Sequence, residues 1–288
     1  MRRFLAKLLL LAALSAAIAA ALALLAYGGP VKRRFGPEVF RAIRIASEAR
    51  PEATTLVLGD SMAHQLFATG PAMPPDVAVA TCNQAATPLG NRLLLDRWLA
   101  RNPQTREVAY VLLPASLRND GAREYTFHHF LHPFAETGLL DDASPEVRAH
   151  LAGRFGRLVL GNRSLRHLLY RNDRLYEWYE RHAVRMPGER PAGIPPVVRG
   201  ELLAMRSACD RAGARFRLAC PPMPQGRVPG PEARARIEAG LVGVLDDPAE
   251  YFRSLRPVPD AEFEDGVHLT RAALENRRSG LRAALLAH

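Results

Sequence analysis

Short apolar runs alternate with longer amphipathic ones along most of this chain, and that alternation leaves few folds open. Thr54-Thr55-Leu56-Val57-Leu58 is brief, β-branched and apolar, the pattern of a strand buried on both faces. Residues 77–81, 108–113, 215–219 and 241–245 give four further strand candidates. Helical patterns separate most of them, at residues 91–100, 197–212 and 231–239. Strands that take turns with helices predict an α/β fold: a mainly parallel five-stranded sheet with helices on both faces, in a three-layer α/β/α arrangement of the flavodoxin-like kind.

Two segments stand outside this rhythm. Arg2, Arg3 and Lys7 precede an apolar run over residues 8–26, close to the ~20 residues that span a bilayer as a helix. Tyr27 falls where an interfacial aromatic belongs. This reads as an uncleaved signal anchor, residues 1–28. A cleaved signal peptide is the alternative, although its apolar core is usually shorter. Lys32, Arg33 and Arg34 nearly balance the basic residues before the run, so the charge rule hardly decides orientation. The expectation is a single-pass inner-membrane protein with its domain in the periplasm. Residues 29–50 form a basic juxtamembrane connector with a short amphipathic helix carrying Phe40, Ile43 and Ile45. The second segment, about 121–196, holds no clear strand and reads as a helical insertion in the domain of residues 51–288. Ser144-Pro145-Glu146 starts one of its helices, and Gly161 can end it. A second follows, with Leu165, Leu168, Leu169, Leu175, Tyr176 and Tyr179 on one face and Arg163, Arg166, Arg171, Arg174 and Arg181 on the other.

The net charge of +10 comes almost wholly from arginine, since Lys7 and Lys32 are the only lysines. Such a surface can attract anionic headgroups or an acidic polymer. No nucleic-acid-binding module is present, and the anchor argues for export. Cys82, Cys209 and Cys220 make no disulfide framework and lack zinc spacing, so three buried thiols are expected. His128, His129 and His132 cluster without an accompanying Cys, Asp or Glu motif, so no metal or other cofactor is expected.

Two places carry chemistry. Gly59-Asp60-Ser61 follows the first strand directly and opens a helix, so the Ser61 hydroxyl can project at the carboxyl edge of the sheet. A serine becomes a nucleophile when a base takes its proton, and histidine titrates near neutrality. Near the other end stands Asp265-Gly266-Val267-His268, ahead of a helix from Thr270. The spacing lets the Asp265 carboxylate reach and orient the His268 ring. Taken blandly, Ser61 and Asp265 are helix caps and His268 a surface histidine.

Leu58-Gly59-Asp60-Ser61 resembles the first block of the SGNH/GDSL hydrolase family, and Asp265-Gly266-Val267-His268-Leu269 resembles its last. The wider Phe263–Thr270 segment looks like the exported, membrane-linked branch that includes polysaccharide O-acetyltransferases. The likeness covers most of residues 54–286, but only its two ends are specific. It implies an SGNH sandwich with Ser61 as nucleophile, His268 as base and Asp265 as its orienter, and with oxyanion donors after the second and third strands. There the match is poorer. Asn83 fits the start of one block, Gly90 comes late for its glycine, and Ser116 or Asn119 stands for its asparagine; Asp60 adjoins the nucleophile. The expected activity is a serine esterase or O-acyltransferase, acting through an acyl-serine on acetyl groups of a cell-envelope glycan. A membrane-bound acyl-transfer partner would suit such an enzyme. The alternative is a non-catalytic SGNH-like module that binds an envelope polymer or supports a membrane assembly.

Overall fold

The computed structural model describes residues 37–83, 86–123, 126–155 and 193–286, together with parts of the stretch 4–21. Its centre is a four-stranded parallel sheet in the order β2-β1-β3-β4. The strands are β1 (Thr55–Gly59), β2 (Val77–Thr81), β3 (Glu107–Val111) and β4 (Arg215–Ala219). They run in register, with Thr55 opposite Val77 and Glu107, and Glu107 opposite Arg215. Parallel strands need crossovers, and helices supply them. They are α2 (Ser61–Ala63), which continues as a π turn over His64–Ala68, then α3 (Pro88–Arg101) and, later in the chain, α6 (Pro196–Arg211).

Both faces of the sheet are covered. Side chains alternate along a strand, so Leu56 and Leu58 of β1 join the larger core while Val57 joins the smaller one. The larger core is closed by α1 (Pro37–Ser47), α3 and α6. The smaller lies under α2 and the last helix, α9 (Arg271–Leu286). The segment expected as a connector therefore supplies a core helix, because Val39, Ala42, Ile43 and Ala46 fall on one helical stripe and are buried.

Four strands form the sheet where five were expected. Residues 241–245 do not extend. Helix α7 (Pro231–Leu241) runs through Leu241, and only a single bridge joins Val242 to Leu245. Gly243 at φ +81° turns the chain so that Leu241, Val244 and Leu245 are buried while Val242 stays exposed. A glycine amid an apolar run weakens a strand. A separate two-stranded parallel sheet pairs β5 (Met223–Pro224) with β6 (Pro257–Val258), and α8 (Glu250–Arg253) lies between them in the chain.

The described part of the insertion is helical, as expected. It holds a π turn over Phe127–Leu131, then α4 (His132–Glu136) and α5 (Pro145–Phe155). Ser144 caps α5, its Oγ accepting from the Val147 N–H at 3.2 Å. The second inserted helix, with Gly161 and its arginine face, lies outside the described residues. Among the described residues no helix is long and apolar enough to cross a membrane. The run 8–26 is described only in part. Its residues 10–18 are helical, with Leu10, Leu11, Leu14 and Ile18 exposed.

Arginines of α9 lock the Ser61 segment in place. Arg282 donates to the carbonyls of Leu66 (2.6 Å), Thr69 (3.2 Å) and Pro71 (3.3 Å), and Arg278 donates to Thr69 Oγ1 (3.1 Å). A cation at a helix carboxyl end satisfies orphan carbonyls and opposes the dipole. Arg282→Ala leaves several of those carbonyls unpaired and is expected to cost about 1–3 kcal/mol. In urea unfolding of the full chain, the midpoint should fall while the slope is kept; an unmoved midpoint would refute the clamp.

Candidate active site

The strand order reverses beside β1, since β2 lies on one side of it and β3 on the other. Crevices at such points, beyond the carboxyl ends of the strands, are where ligands bind in open α/β sheets. Here the ends of β1 and β3 meet closely. A Cβ on Gly59 would lie 2.2 Å from the Val111 carbonyl oxygen and 2.4 Å from the Ala63 Cβ, so only glycine fits.

Asp60 then ties the two strand ends together. Its Oδ1 accepts from the Met62 N–H (3.0 Å) and caps α2. Its Oδ2 accepts from the Leu113 N–H (2.8 Å) and from Ser116 Oγ (2.6 Å) on the turn after β3. Burial pushes the Asp60 carboxyl above its usual range, and the bonds from Ser116, Leu113 and Met62 only partly oppose this. At 2 % exposure, Asp60 is an internal brace, not a group that meets substrate. Ser61 follows as the first residue of α2. It is half-buried, and its Oγ makes no hydrogen bond among the described residues.

The second half of the site is a closed loop. Phe263 bridges Leu269, the Glu264 N–H donates to the His268 carbonyl (2.9 Å), and the Thr270 N–H donates to the Glu262 carbonyl (2.8 Å). Gly266, at φ +74°, takes the left-handed turn at its tip. Inside the loop Asp265 Oδ1 accepts from the N–H groups of Val267 (2.8 Å) and His268 (2.7 Å), and Oδ2 lies 2.6 Å from His268 Nδ1. Burial alone would raise the Asp265 carboxyl. The His268 N–H, the His268 ring and the Val267 N–H outweigh it and hold the group at about 2. With Nδ1–H given to Asp265, Nε2 is left as the basic atom. That Nε2 is shielded from solvent and has no hydrogen-bond partner.

Gln65 joins the two halves. Its Nε2 donates to the Leu269 carbonyl (2.8 Å), and its Oε1 accepts from the Leu269 N–H (3.0 Å). A side-chain amide thus pairs with the backbone next to His268, one helical turn beyond Ser61. No hydrogen bond joins Ser61 Oγ to His268 Nε2 in this state.

The other proposed oxyanion residues are differently placed. Asn83 is exposed, and its N–H is taken by Glu38 Oε2 (2.7 Å). Gly90 is buried in the first turn of α3, where a Cβ would fall 2.4 Å from the Phe130 ring; close packing accounts for that glycine. Ser116 gives its proton to Asp60. Asn119 is buried in its own loop, donating to Thr126 Oγ1 (3.0 Å) and accepting from the Gly121 N–H (3.2 Å).

Three site-edge residues had no signal in the sequence: Glu38, His64 and Gln65. His64, buried three residues beyond Ser61, has Nδ1 3.1 Å from the Thr81 carbonyl and Nε2 3.6 Å from Glu38 Oε1. His132 Nδ1 lies 3.3 Å from Glu136 Oε1, and His129 is buried; the side chain of His128 lies outside the described residues. Among the described residues no three His, Cys, Asp or Glu groups are placed to hold a metal ion. The three cysteines are free and buried, and burial pushes the Cys209 thiol up to about 12. Comparison with protein-family models, curated proteins and solved structures returns no match.

Asp265 makes the loop acid-sensitive. Its folded-state value, about 2, lies below the ordinary 3.8. A depressed acid adds stability that is complete above the unfolded value and is lost as pH falls through the folded one. Wild type should therefore exceed Asp265→Asn in melting temperature near neutrality, and the gap should close between about pH 4 and pH 2. A gap that stays constant over that window would contradict the assignment.

Proposed function

We propose that the chain is a serine esterase or O-acyltransferase of SGNH type. The observation that carries this reading is the Asp265-oriented His268, whose Nε2 is buried and unpartnered on a loop that Gln65 holds against the Ser61 segment.

As Ser61 Oγ bonds to the acyl carbon, His268 Nε2 takes its proton and Asp265 stabilises the imidazolium. The carbonyl oxygen becomes an oxyanion facing the Ser61 N–H, at the positive end of α2. Collapse breaks the bond to the leaving alcohol, which receives the proton from His268. Water or a sugar hydroxyl then attacks the acyl-serine, His268 takes the attacker's proton, and Ser61 recovers it on release. Side-chain donors of this kind contribute about 3 kcal/mol each to the transition state. Asn83 and Ser116 are the nearest candidates, and Ser116 must turn away from Asp60 to serve. The acyl group proposed is acetyl and the acceptor an envelope glycan, on the strength of the resemblance at residues 263–270. The exposed apolar side chains of residues 10–18 support an N-terminal membrane anchor with the domain on the periplasmic side.

Commitment of Ser116 and Asn119 to bonds within the fold favours a second reading, a non-catalytic module that binds an envelope polymer. Full-length protein in detergent, given an activated acetyl ester, separates the two. Wild type should show an acetylated Ser61 peptide by mass spectrometry. Ser61→Ala and His268→Ala should lower turnover by on the order of 10³-fold or more. Equal inertness of all three folded proteins would leave the binding module as the function.

A further inference from the structure

Arg227 is the one feature beside the His268 loop that the mechanism above leaves unused. The β5–β6 pairing sets Met223 against Pro257 and Pro224 against Val258, so the turn Gln225–Arg227 emerges beside the segment leading to Asp265. That turn is pinned. The Gly226 N–H donates to Asp260 Oδ1 at 3.0 Å, and a Cβ on Gly226 would lie 2.7 Å from Asp260 Oδ2. Arg227 then reaches over the tip of the catalytic loop. A Cβ on Gly266 would meet its Nη2 at 2.4 Å and its Cζ at 2.5 Å. The guanidinium therefore lies on the bare backbone between Asp265 and Val267.

It has no partner there. Arg206, Arg217, Arg271 and Arg277 all pair with carboxylates, and Arg282 is spent on backbone carbonyls. Arg227 is exposed and makes no hydrogen bond or ion pair among the described residues. The nearest acid along the chain, Asp265, is occupied: Oδ1 accepts two backbone N–H groups and Oδ2 faces His268 Nδ1. A planar fork of donors with an unneutralised charge, two residues from His268, suits a planar oxyanion.

Building on the serine-esterase reading, we infer that Arg227 selects ester substrates that carry a carboxylate close to the scissile bond. It acts as a specificity residue, binding the charged group while Ser61 and His268 carry out the acyl transfer. Arg227→Lys keeps the charge but loses the fork, so it should retain only part of the selectivity.

The test uses full-length protein in detergent and two esters of nearly equal shape, anionic 4-acetoxybenzoate and neutral 4-acetoxybenzamide. Wild type should favour the benzoate in kcat/KM. Arg227→Gln should lower the benzoate-to-benzamide ratio about fivefold, chiefly through KM for the benzoate, in line with an exposed ion pair. A wild type indifferent to the charge, or a ratio that Arg227→Gln leaves unmoved, overturns the inference. A second arm needs no turnover: ligand-observed NMR of 4-acetoxybenzoate with Ser61→Ala and with the Ser61→Ala/Arg227→Gln double variant. Binding that the double variant loses supports the carboxylate subsite even where no ester is cleaved, and in that case only the esterase reading falls. Absence of binding to Ser61→Ala, or equal binding to both proteins, overturns the subsite itself.

Discussion

Asp60 holds the carboxyl ends of β1 and β3 together with bonds from three residues, and the candidate site is built outward from that brace. One carboxylate caps the helix that begins at Ser61 and grips the turn that follows β3. Buried charge is costly unless its hydrogen bonds are supplied. The sheet supplies them because Gly59 lets the two backbones approach closely at this point. The price is a carboxyl whose ionised form burial disfavours. Asp60 and Asp265 are thus carboxylates in opposite circumstances. One is raised by burial; the other, on an exposed loop, is lowered by the donors around it.

From the brace, the site is extended by contacts distant in sequence. Gln65 meets Leu269 across 204 positions, and Arg282 meets Leu66 across 216. Together they set α9, the loop before it and the Ser61 segment as one block on the smaller core. Much of the positive charge is spent in this way. Arg217 illustrates it: buried on β4, it pairs with Glu107 at 2.5 Å and donates to the Leu285 and Leu286 carbonyls. The arginine excess that suggests an acidic partner is in good part an internal fastening system, and Arg227 stands out because it fastens nothing.

What the sequence revealed follows from the range of each interaction. Residues 77–81 and 215–219 read as strands and are strands, because period and β-branching act locally. Asp265 and His268 are three residues apart, so their pairing was legible from spacing alone. Residues 241–245 misled, since Gly243 converts an apolar run into a buried turn whose need appears only against the rest of the core. Glu38, His64 and Gln65 could not be found, because nothing near them in the chain marks the partners they meet. Gly90 and Asn119 looked like oxyanion donors from position. Packing against Phe130 and bonding to Thr126 give them other work.

The central claim is that His268 makes Ser61 nucleophilic. Labelling with a fluorophosphonate tests it most directly, because such reagents bond to a serine in proportion to its activation and require neither the true acyl donor nor the acceptor. Full-length wild type should label at Ser61 within minutes, Asp265→Asn more slowly, and His268→Ala hardly at all. Labelling that is absent from folded wild type, or that proceeds equally well without His268, would contradict the account.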